Sequence, residues 1–444
     1  MKLFGTDGIR GTAGVAPLDH ATVARVGAAL VKVSGPAGGR LRVLVGRDTR
    51  ESGVWIEHEL ARGLANEGAE VVSAGVIPTP AVAYLTPLGR FDAGIVISAS
   101  HNPFEDNGIK VFGPTGEKLN EATERAIEAM VHDPAWHVEA AAGPRLTSEN
   151  LSRAYLEHAR RILGDAGPIG GSLLVLDCAN GATAALAPAL FRSLGFRVDA
   201  IGVEPDGRNI NLNCGSTHLD ALRARVVQSG ARLGIAFDGD GDRALFADGR
   251  GQVVDGDAVL LMAADQLRRE GRLPGNAIVA TVMSNIGLEI ALRERGIGIA
   301  RCPVGDKYVQ EEMQRRGLVL GGEQSGHIIF ADHLMTGDGI GTALQVLRIM
   351  AATGKDLAEL AGALVSYPQI LVNVRVRERV DYLKVPAIAD AIARIEQRVD
   401  GQGRVLIRYS GTEPLLRIMI EGRHQDEIAA WAGEIADAVR SNLA

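Results

Sequence analysis

Residues 233–243 read LGIAFDGDGDR, an apolar run that passes straight into three aspartates at alternate positions, Asp238, Asp240 and Asp242. The run Leu233 to Phe237 predicts a buried strand, and the acidic tract a loop at its carboxyl end, where ligand loops emerge in α/β sheets. An extended backbone points every second side chain the same way and the intervening glycines permit tight bending, so the three carboxylates can converge. Like charges this close repel unless a cation joins them, and hard oxygen ligands select Mg²⁺ or Ca²⁺. An EF-hand is disfavoured, because Arg243 and Gly249 stand where that loop needs glycine and glutamate. The alternative is a solvated acidic turn. Arg243, closing the loop, is a candidate for contact with a substrate.

Outward from this stretch the same pattern repeats. Strands are expected at Leu41 to Val45, Ala93 to Ile97, Leu173 to Leu176, Ala277 to Val282 and Gly298 to Arg301. Between them, Val23, Val26, Leu30 and Val33, or Leu260, Leu261, Ala264 and Leu267, repeat at helical spacing. Alternating strands and helices predict α/β layers on mixed, mostly parallel sheets. From Pro368 the pattern shifts to strands at Ile370 to Val376, Val405 to Ile407 and Leu415 to Ile420. A last helix carries Ile428, Trp431, Ile435 and Val439, so this segment reads as a smaller α+β domain. With 444 residues the chain exceeds one ordinary core. Glycine and proline clusters place the joints so that domains of 1–145, 146–249, 250–366 and 367–444 are expected.

Composition narrows the partners. Against 54 acidic residues stand 47 basic ones, a net charge of −7, which argues against a nucleic-acid or anionic-membrane surface. Cys178, Cys214 and Cys302 are widely spaced, supporting neither a disulfide framework nor a cysteine zinc site. The opening MKLFGTDGIRG lacks the basic patch and apolar run of an export signal, and no apolar stretch reaches the length of a membrane span. A cytoplasmic location is expected.

Three further loops carry candidate chemistry. SASHNP, residues 98–103, follows the strand Ala93 to Ile97 and exposes Ser100 on a turn. Its hydroxyl can attack phosphorus if a base takes the proton and cations neutralise the oxygens, and His101 and Lys110 are close in sequence. A plain Ser/Asn/Pro turn is the alternative. The chain contains no G-x-S-x-G elbow and no G-x-x-x-x-G-K-[ST] loop, which sets aside an α/β-hydrolase and a P-loop nucleotide site. GGEQSGH, residues 321–327, lies between strand-like Leu318 to Leu320 and Ile328 to Phe330. Glu323 and Ser325, two apart, suit vicinal sugar hydroxyls, with a polar hairpin as the alternative. RYSGTEPLLR, residues 408–417, offers Arg408, Ser410, Gly411, Thr412 and Arg417 to a dianionic phosphate, against an arginine-rich surface turn.

Together, and in this order, the four loops resemble those of the α-D-phosphohexomutase superfamily over nearly the whole chain. The resemblance implies three similar α/β domains and a smaller C-terminal one around a central cleft, each giving one loop. It implies a phosphorylated Ser100, one Mg²⁺ held by Asp238, Asp240 and Asp242 with the Ser100 phosphate, a sugar loop of Glu323 and Ser325, and a phosphate loop of Arg408 to Arg417. Arg10 of FGTDGIRG, Lys110 of NGIK and His327 match positions around the reacting phosphoryl group, with Lys110 the proton carrier and His101 beside Ser100. FGTDGIRG, SASHNP and GEQSGH look most like the bacterial branch acting on glucosamine phosphates, with Gln324 as its mark. The implied reaction interconverts the 6- and 1-phosphates through a 1,6-bisphosphate, which also serves as activator, and leads towards UDP-N-acetylglucosamine and cell-wall precursors. Glucose or mannose phosphates are the alternative substrates; a phosphatase or a non-enzymatic sugar-phosphate binding protein are the alternative functions. The partner is a small hexosamine phosphate, with no nucleic acid and no membrane. The oligomeric state stays open, a homodimer being one option.

Overall fold

The computed structural model describes residues 3–35, 40–138, 146–164, 167–399, 401–410 and 414–444. Gly411, Thr412 and the expected boundary at Arg145 lie outside the described residues. Two compact units are present: residues 1–283 with 297–362, and residues 284–296 with 363–444.

The larger unit holds three sheets. The first has seven strands, and its centre is parallel, Arg42–Arg47 lying between Glu70–Val76 and Ala93–Ile97. Asp106–Phe112, Gly8–Thr12 and Phe4–Gly5 extend it antiparallel on one side. Leu146–Ser148 closes the other side by pairing with Val71–Ser73. In the second sheet, Leu173–Asp177 runs parallel to Arg197–Ile201 and Leu233–Phe237, with Ala244–Asp248 and Val253–Val254 antiparallel beyond. The third sets Ala277–Thr281 parallel to Gly298–Cys302 and Leu320–Gly322, and Ile328–Phe330 antiparallel at the edge. Strand cores such as Ala93–Ile97 and Leu233–Phe237 are buried throughout, as continuous apolar runs require between helical layers.

Side-chain caps fix where the covering helices begin. Asp19 accepts from Thr22 N at 3.0 Å ahead of helix His20–Ser34, and Asp255 from Ala258 N at 3.1 Å ahead of Gly256–Arg269. Helix Gly339–Thr353 starts on Asp338 and stops at Gly354 in the left-handed conformation.

The smaller unit contains an antiparallel sheet, Gln369–Arg375, Leu415–Glu421 and Arg404–Tyr409, against which Pro386–Val399 and Gln425–Leu443 pack. Helix Ile286–Glu294, expected in the third domain, groups with this unit. Asn285 donates to the Tyr367 carbonyl at 2.9 Å and accepts from Tyr367 N at 2.9 Å, and Ile286 N donates to buried Glu421.

Expected strands at Ala93–Ile97, Leu233–Phe237 and Ile328–Phe330 have the observed bounds, whereas Leu318 to Leu320 is displaced to Leu320–Gly322. The first sheet continues to Ser148 and the second to Val254, past the expected joints at 145 and 249. Both edge strands pair with partners that local periodicity does not reveal.

Candidate active site

Each of the four loops connects a strand to its antiparallel neighbour. Phe237 pairs with Ala244, so residues 238–243 form a hairpin tip; Gly322 pairs with Ile328 around the Glu323 loop; Tyr409 pairs with Leu416 around the Ser410 loop. Ile97 pairs with Ile109, and Ser98 N donates to the Gly108 carbonyl, so the Ser100 loop leaves the first sheet the same way.

Ser100 is fully buried with φ +54°, a left-handed conformation that costs energy in a residue with a Cβ and persists only where the surroundings hold it. They do so tightly. The Ser100 and Asn102 carbonyls each accept from both Arg50 (3.2 and 2.6 Å) and Asn211 (2.9 and 3.0 Å). Ser100 N donates to Ser98 Oγ at 2.9 Å, and Arg10 donates to the Ala99 carbonyl at 2.5 Å. The Ser100 hydroxyl donates to Asp238 Oδ2 at 2.5 Å, joining loops from two sheets. His101 Nδ1 lies 3.3 Å from Ser100 Oγ; burial, helped by Arg243 and Arg10, pushes its pKa down to about 4.

The acidic loop is wedged in place by backbone contacts. Thr79 N donates to the Asp240 carbonyl at 2.9 Å and Gly339 N to the Gly241 carbonyl at 3.0 Å. A Cβ at Gly239 would stand 2.5 Å from the Ser100 carbonyl oxygen, and Gly241 has φ +72°, so glycine is required at both positions for this approach. Asp238, Asp240 and Asp242 are all buried, each with one oxygen within 4.8 Å of the others.

Asp240 Oδ2 accepts from Thr79 Oγ1 at 2.5 Å and Lys110 Nζ at 2.8 Å, and Asp242 Oδ2 from Lys110 at 3.0 Å. The other oxygens, Asp240 Oδ1 and Asp242 Oδ1, are buried without a hydrogen-bond donor. Burial and then the neighbouring Asp242 and Asp240 hold the Asp238 carboxyl well above the usual range. Burial pushes Asp240 up as well, but Lys110 and the Thr79 hydroxyl outweigh it and hold it below. Converging buried carboxylate oxygens without donors are what a small divalent cation with oxygen ligands needs, so the triad can hold a metal.

Lys110 is buried and also lies 2.9 Å from Asp7 Oδ2, which in turn accepts from Arg10 at 2.5 Å. Burial pulls its pKa down, but Asp240, Asp242 and Asp7 carry it well above the ordinary lysine value. In front of these groups opens a cleft of about 630 Å³, lined by Arg10, His101, Asp242, Arg243, Glu323 and His327 together with Phe4 to Gly8 and Val304 to Asp306. Glu323 Oε1 accepts from Gly305 N at 3.0 Å, and its Oε2 lies 3.4 Å from the Ser325 hydroxyl. His327 is buried on the same wall. Gln324 instead turns to Asp255, donating at 3.0 Å, so its side chain is engaged with a helix cap.

In the smaller unit, Arg408 and Arg417 are cross-strand partners and Arg417 donates to Ser410 Oγ at 3.3 Å. Arg379 donates to the Ser410 carbonyl at 2.6 Å.

Sequence profiles of four phosphoglucomutase/phosphomannomutase domains match the chain in order: alpha/beta/alpha domain I over residues 1–137, domain II over 153–251, domain III over 255–367 and the C-terminal domain over 371–438. The chain belongs to the phosphoglucomutase/phosphomannomutase family. Curated relatives within reach of this family include phosphoglucosamine mutase of Solibacter usitatus, 51% identical over 99% of both chains. Phosphoglucosamine mutase of Geotalea daltonii is 46% identical over 100% of this chain and 98% of that protein. A crystal structure of a phosphoglucomutase/phosphomannomutase family protein from Burkholderia thailandensis superposes with a TM-score of 0.81 at 26% identity, covering 100% of this chain and 99% of that one.

Within this family member, several site residues escape a reading of the sequence. Arg50 and Asp48 look like part of a solvated RDTRES turn, yet both are 0% exposed and paired with each other. Asn211 and Asp7 likewise stand in turns without a distinguishing pattern, and Thr79 and Asp306 open the helices Thr79–Leu88 and Asp306–Arg316. The one local signal is at NGIKVFGPTGEK, where a Gly-Pro-Thr-Gly turn folds Lys118 back beside the strand bearing Lys110. Among the described residues no helix is long and apolar enough to cross a membrane.

Proposed function

We propose that this chain is a phosphoglucosamine mutase, moving a phosphoryl group between the 6- and 1-hydroxyls of glucosamine through a phosphorylated Ser100 and a 1,6-bisphosphate, in the cytoplasm. The observation that carries it is the Ser100 hydroxyl held 2.5 Å from one of three convergent buried aspartates. Identity of 51% along the full length to a phosphoglucosamine mutase supports the choice of amino sugar.

Asp238, Asp240 and Asp242 would hold Mg²⁺, with a Ser100 phosphate oxygen as a further ligand; the ion supplies electrostatic stabilisation of the phosphoryl oxygens. The chain's own groups do the rest. Arg50 and Asn211 fix the Ser100 backbone, so its oxygen is presented in one direction. Arg10, Arg243 and the neutral His101 face the cleft, where they meet the oxygens of the transferring group. Lys110 is the proposed proton carrier. Its three carboxylate partners favour the ammonium, which protonates the serine oxygen as the bond to phosphorus breaks; the base half of the cycle needs those carboxylates otherwise engaged.

Glu323 with Ser325 is proposed to accept sugar hydroxyls 3 and 4 in either orientation, which a bisphosphate must adopt to return its other phosphate. Arg408, Ser410, Gly411, Thr412 and Arg417 are proposed to hold the non-reacting phosphate. Four domains, each bringing one loop, belong to the same proposal, with the first two ending after Ser148 and Val254.

The test is to incubate the protein, radiolabelled on its Ser100 phosphate, with glucosamine 6-phosphate and Mg²⁺. Label is expected to pass to sugar as the 1-phosphate appears. Turnover without label transfer, or full activity in S100A, would remove Ser100 as carrier. Comparison of kcat/KM among glucosamine, glucose and mannose phosphates tests the substrate.

A further inference from the structure

The loop between Asp106–Phe112 and helix Glu121–His132 contains a lysine that the mechanism above does not use. Phe112 bridges to Lys118, Gly113 N donates to the Glu117 carbonyl at 2.8 Å, and the chain turns back on itself. Two lysines eight positions apart are thereby brought to one carboxylate: Asp7 Oδ2 is 2.9 Å from Lys110 Nζ and Asp7 Oδ1 is 2.6 Å from Lys118 Nζ. Lys118 also donates to Asp306 Oδ2. Its side chain is 11% exposed and lines a separate cavity of about 450 Å³, not the cleft.

The two carboxylates that share Lys118 belong to opposite sides of the chemistry. Asp7 holds Arg10 and Lys110, which face the acidic triad. Asp306 follows Gly305, whose N–H fixes Glu323 Oε1, and His327 Nε2 lies 3.7 Å from Asp306 Oδ2. Asp7, Gly305 and Asp306 all line the cleft.

We propose that Lys118 is a positioning residue for this site: a single, partly buried ammonium that ties Asp7 to Asp306 and so sets the distance between the sugar-facing Glu323 and the phosphoryl-facing Lys110 and Arg10. This rests on the mutase reading of the cleft. Physically, two carboxylates drawn to one nitrogen repel once that nitrogen is removed, and in a buried place the repulsion is poorly screened. The 304–306 segment and the Phe4 to Gly8 turn then separate, and Glu323 moves with Gly305. A misplacement of this kind degrades both substrate binding and transfer, since reacting groups must be aligned.

The experiment compares K118M and K118R in the full chain with Mg²⁺. K118M is expected to raise KM for glucosamine 6-phosphate and lower kcat, each by about tenfold, and K118R to recover most of both. D306N is expected to cost less in the K118M background than in the wild type, because it removes one of the two repelling charges. Unchanged KM and kcat in K118M, or equal costs of D306N in both backgrounds, would overturn the proposal.

Hydrogen exchange at the Gly305 amide reads the same tie without turnover. Exchange is expected to quicken by about tenfold in K118M and stay near wild type in K118R; unchanged exchange in K118M sinks the inference even where the wild type proves inactive on sugar phosphates, an outcome that by itself counts only against the mutase reading. Should K118M fail to fold, D306N alone, which leaves the Lys118–Asp7 pair in place, is expected to give the higher KM and the faster Gly305 exchange, and wild-type values for both would refute the tie.

Discussion

Replacing Arg50 with methionine isolates what holds Ser100 in its left-handed turn. The Arg50 guanidinium is entirely buried, pairs with Asp48 and donates to the Ser100 and Asn102 carbonyls. In R50M neither carbonyl is orphaned, since Asn211 still donates to both at 2.9 and 3.0 Å. The larger loss falls on Asp48, left as a buried carboxylate without its cation, and breaking such a pair costs about 3–5 kcal/mol. That is a substantial part of a typical stability of about 5–15 kcal/mol. Burial already pushes the Asp48 carboxyl up against the pull of Arg50, so without Arg50 it will take a proton and cap the loss.

The double variant R50M/D48N removes the stranded charge and should recover about 2 kcal/mol of that cost. Urea unfolding measures the stabilities, and mutase turnover at saturating substrate measures the consequence for Ser100. A drop in kcat of about 10- to 100-fold is expected in R50M as the serine loses half its clamp. An unchanged unfolding midpoint in R50M, or a double variant no more stable than R50M, would refute the electrostatic reasoning. An unchanged kcat would refute the link to serine geometry.

Two further outcomes follow from the same structure. D240N removes a carboxylate whose Oδ1 has no donor, and Mg²⁺ affinity by calorimetry should fall by about a hundredfold or more; wild-type affinity would place the ion elsewhere. His158, stacked on His333 and Tyr84, has its pKa pushed down to about 4 by burial and by His333. The unfolded chain therefore binds this proton more readily, so the stabilisation is complete above about pH 6.5 and is lost as pH falls towards 4. Because the ring is only partly buried, about 1–2 kcal/mol of pH dependence is expected from it. Stability measured across that window should flatten in H158Q, and an identical slope would contradict the assignment.

The amino-acid order by itself marked apolar runs such as Ala93–Ile97 or Leu233–Phe237, each followed by a loop whose residue types suit one task. Hydrophobic periodicity and glycine placement are properties of neighbours along the chain, so both the strands and the loops SASHNP, DGDGDR and GEQSGH were legible. Tertiary structure alone decided which charges share a buried space. Ser100 meets Asp238 across 138 positions, Lys110 meets Asp240 across 130, and Lys118 meets Asp306 across 188. A charged residue in a polar loop reads as solvated until another segment covers it, which is why Arg50 and Asp48 carried no signal and the turn before Lys118 did not reveal its partner Asp306. For the same reason local periodicity did not reveal the edge strands Leu146–Ser148 and Val253–Val254, since the partner that hydrogen-bonds a short strand is chosen by the folded sheet.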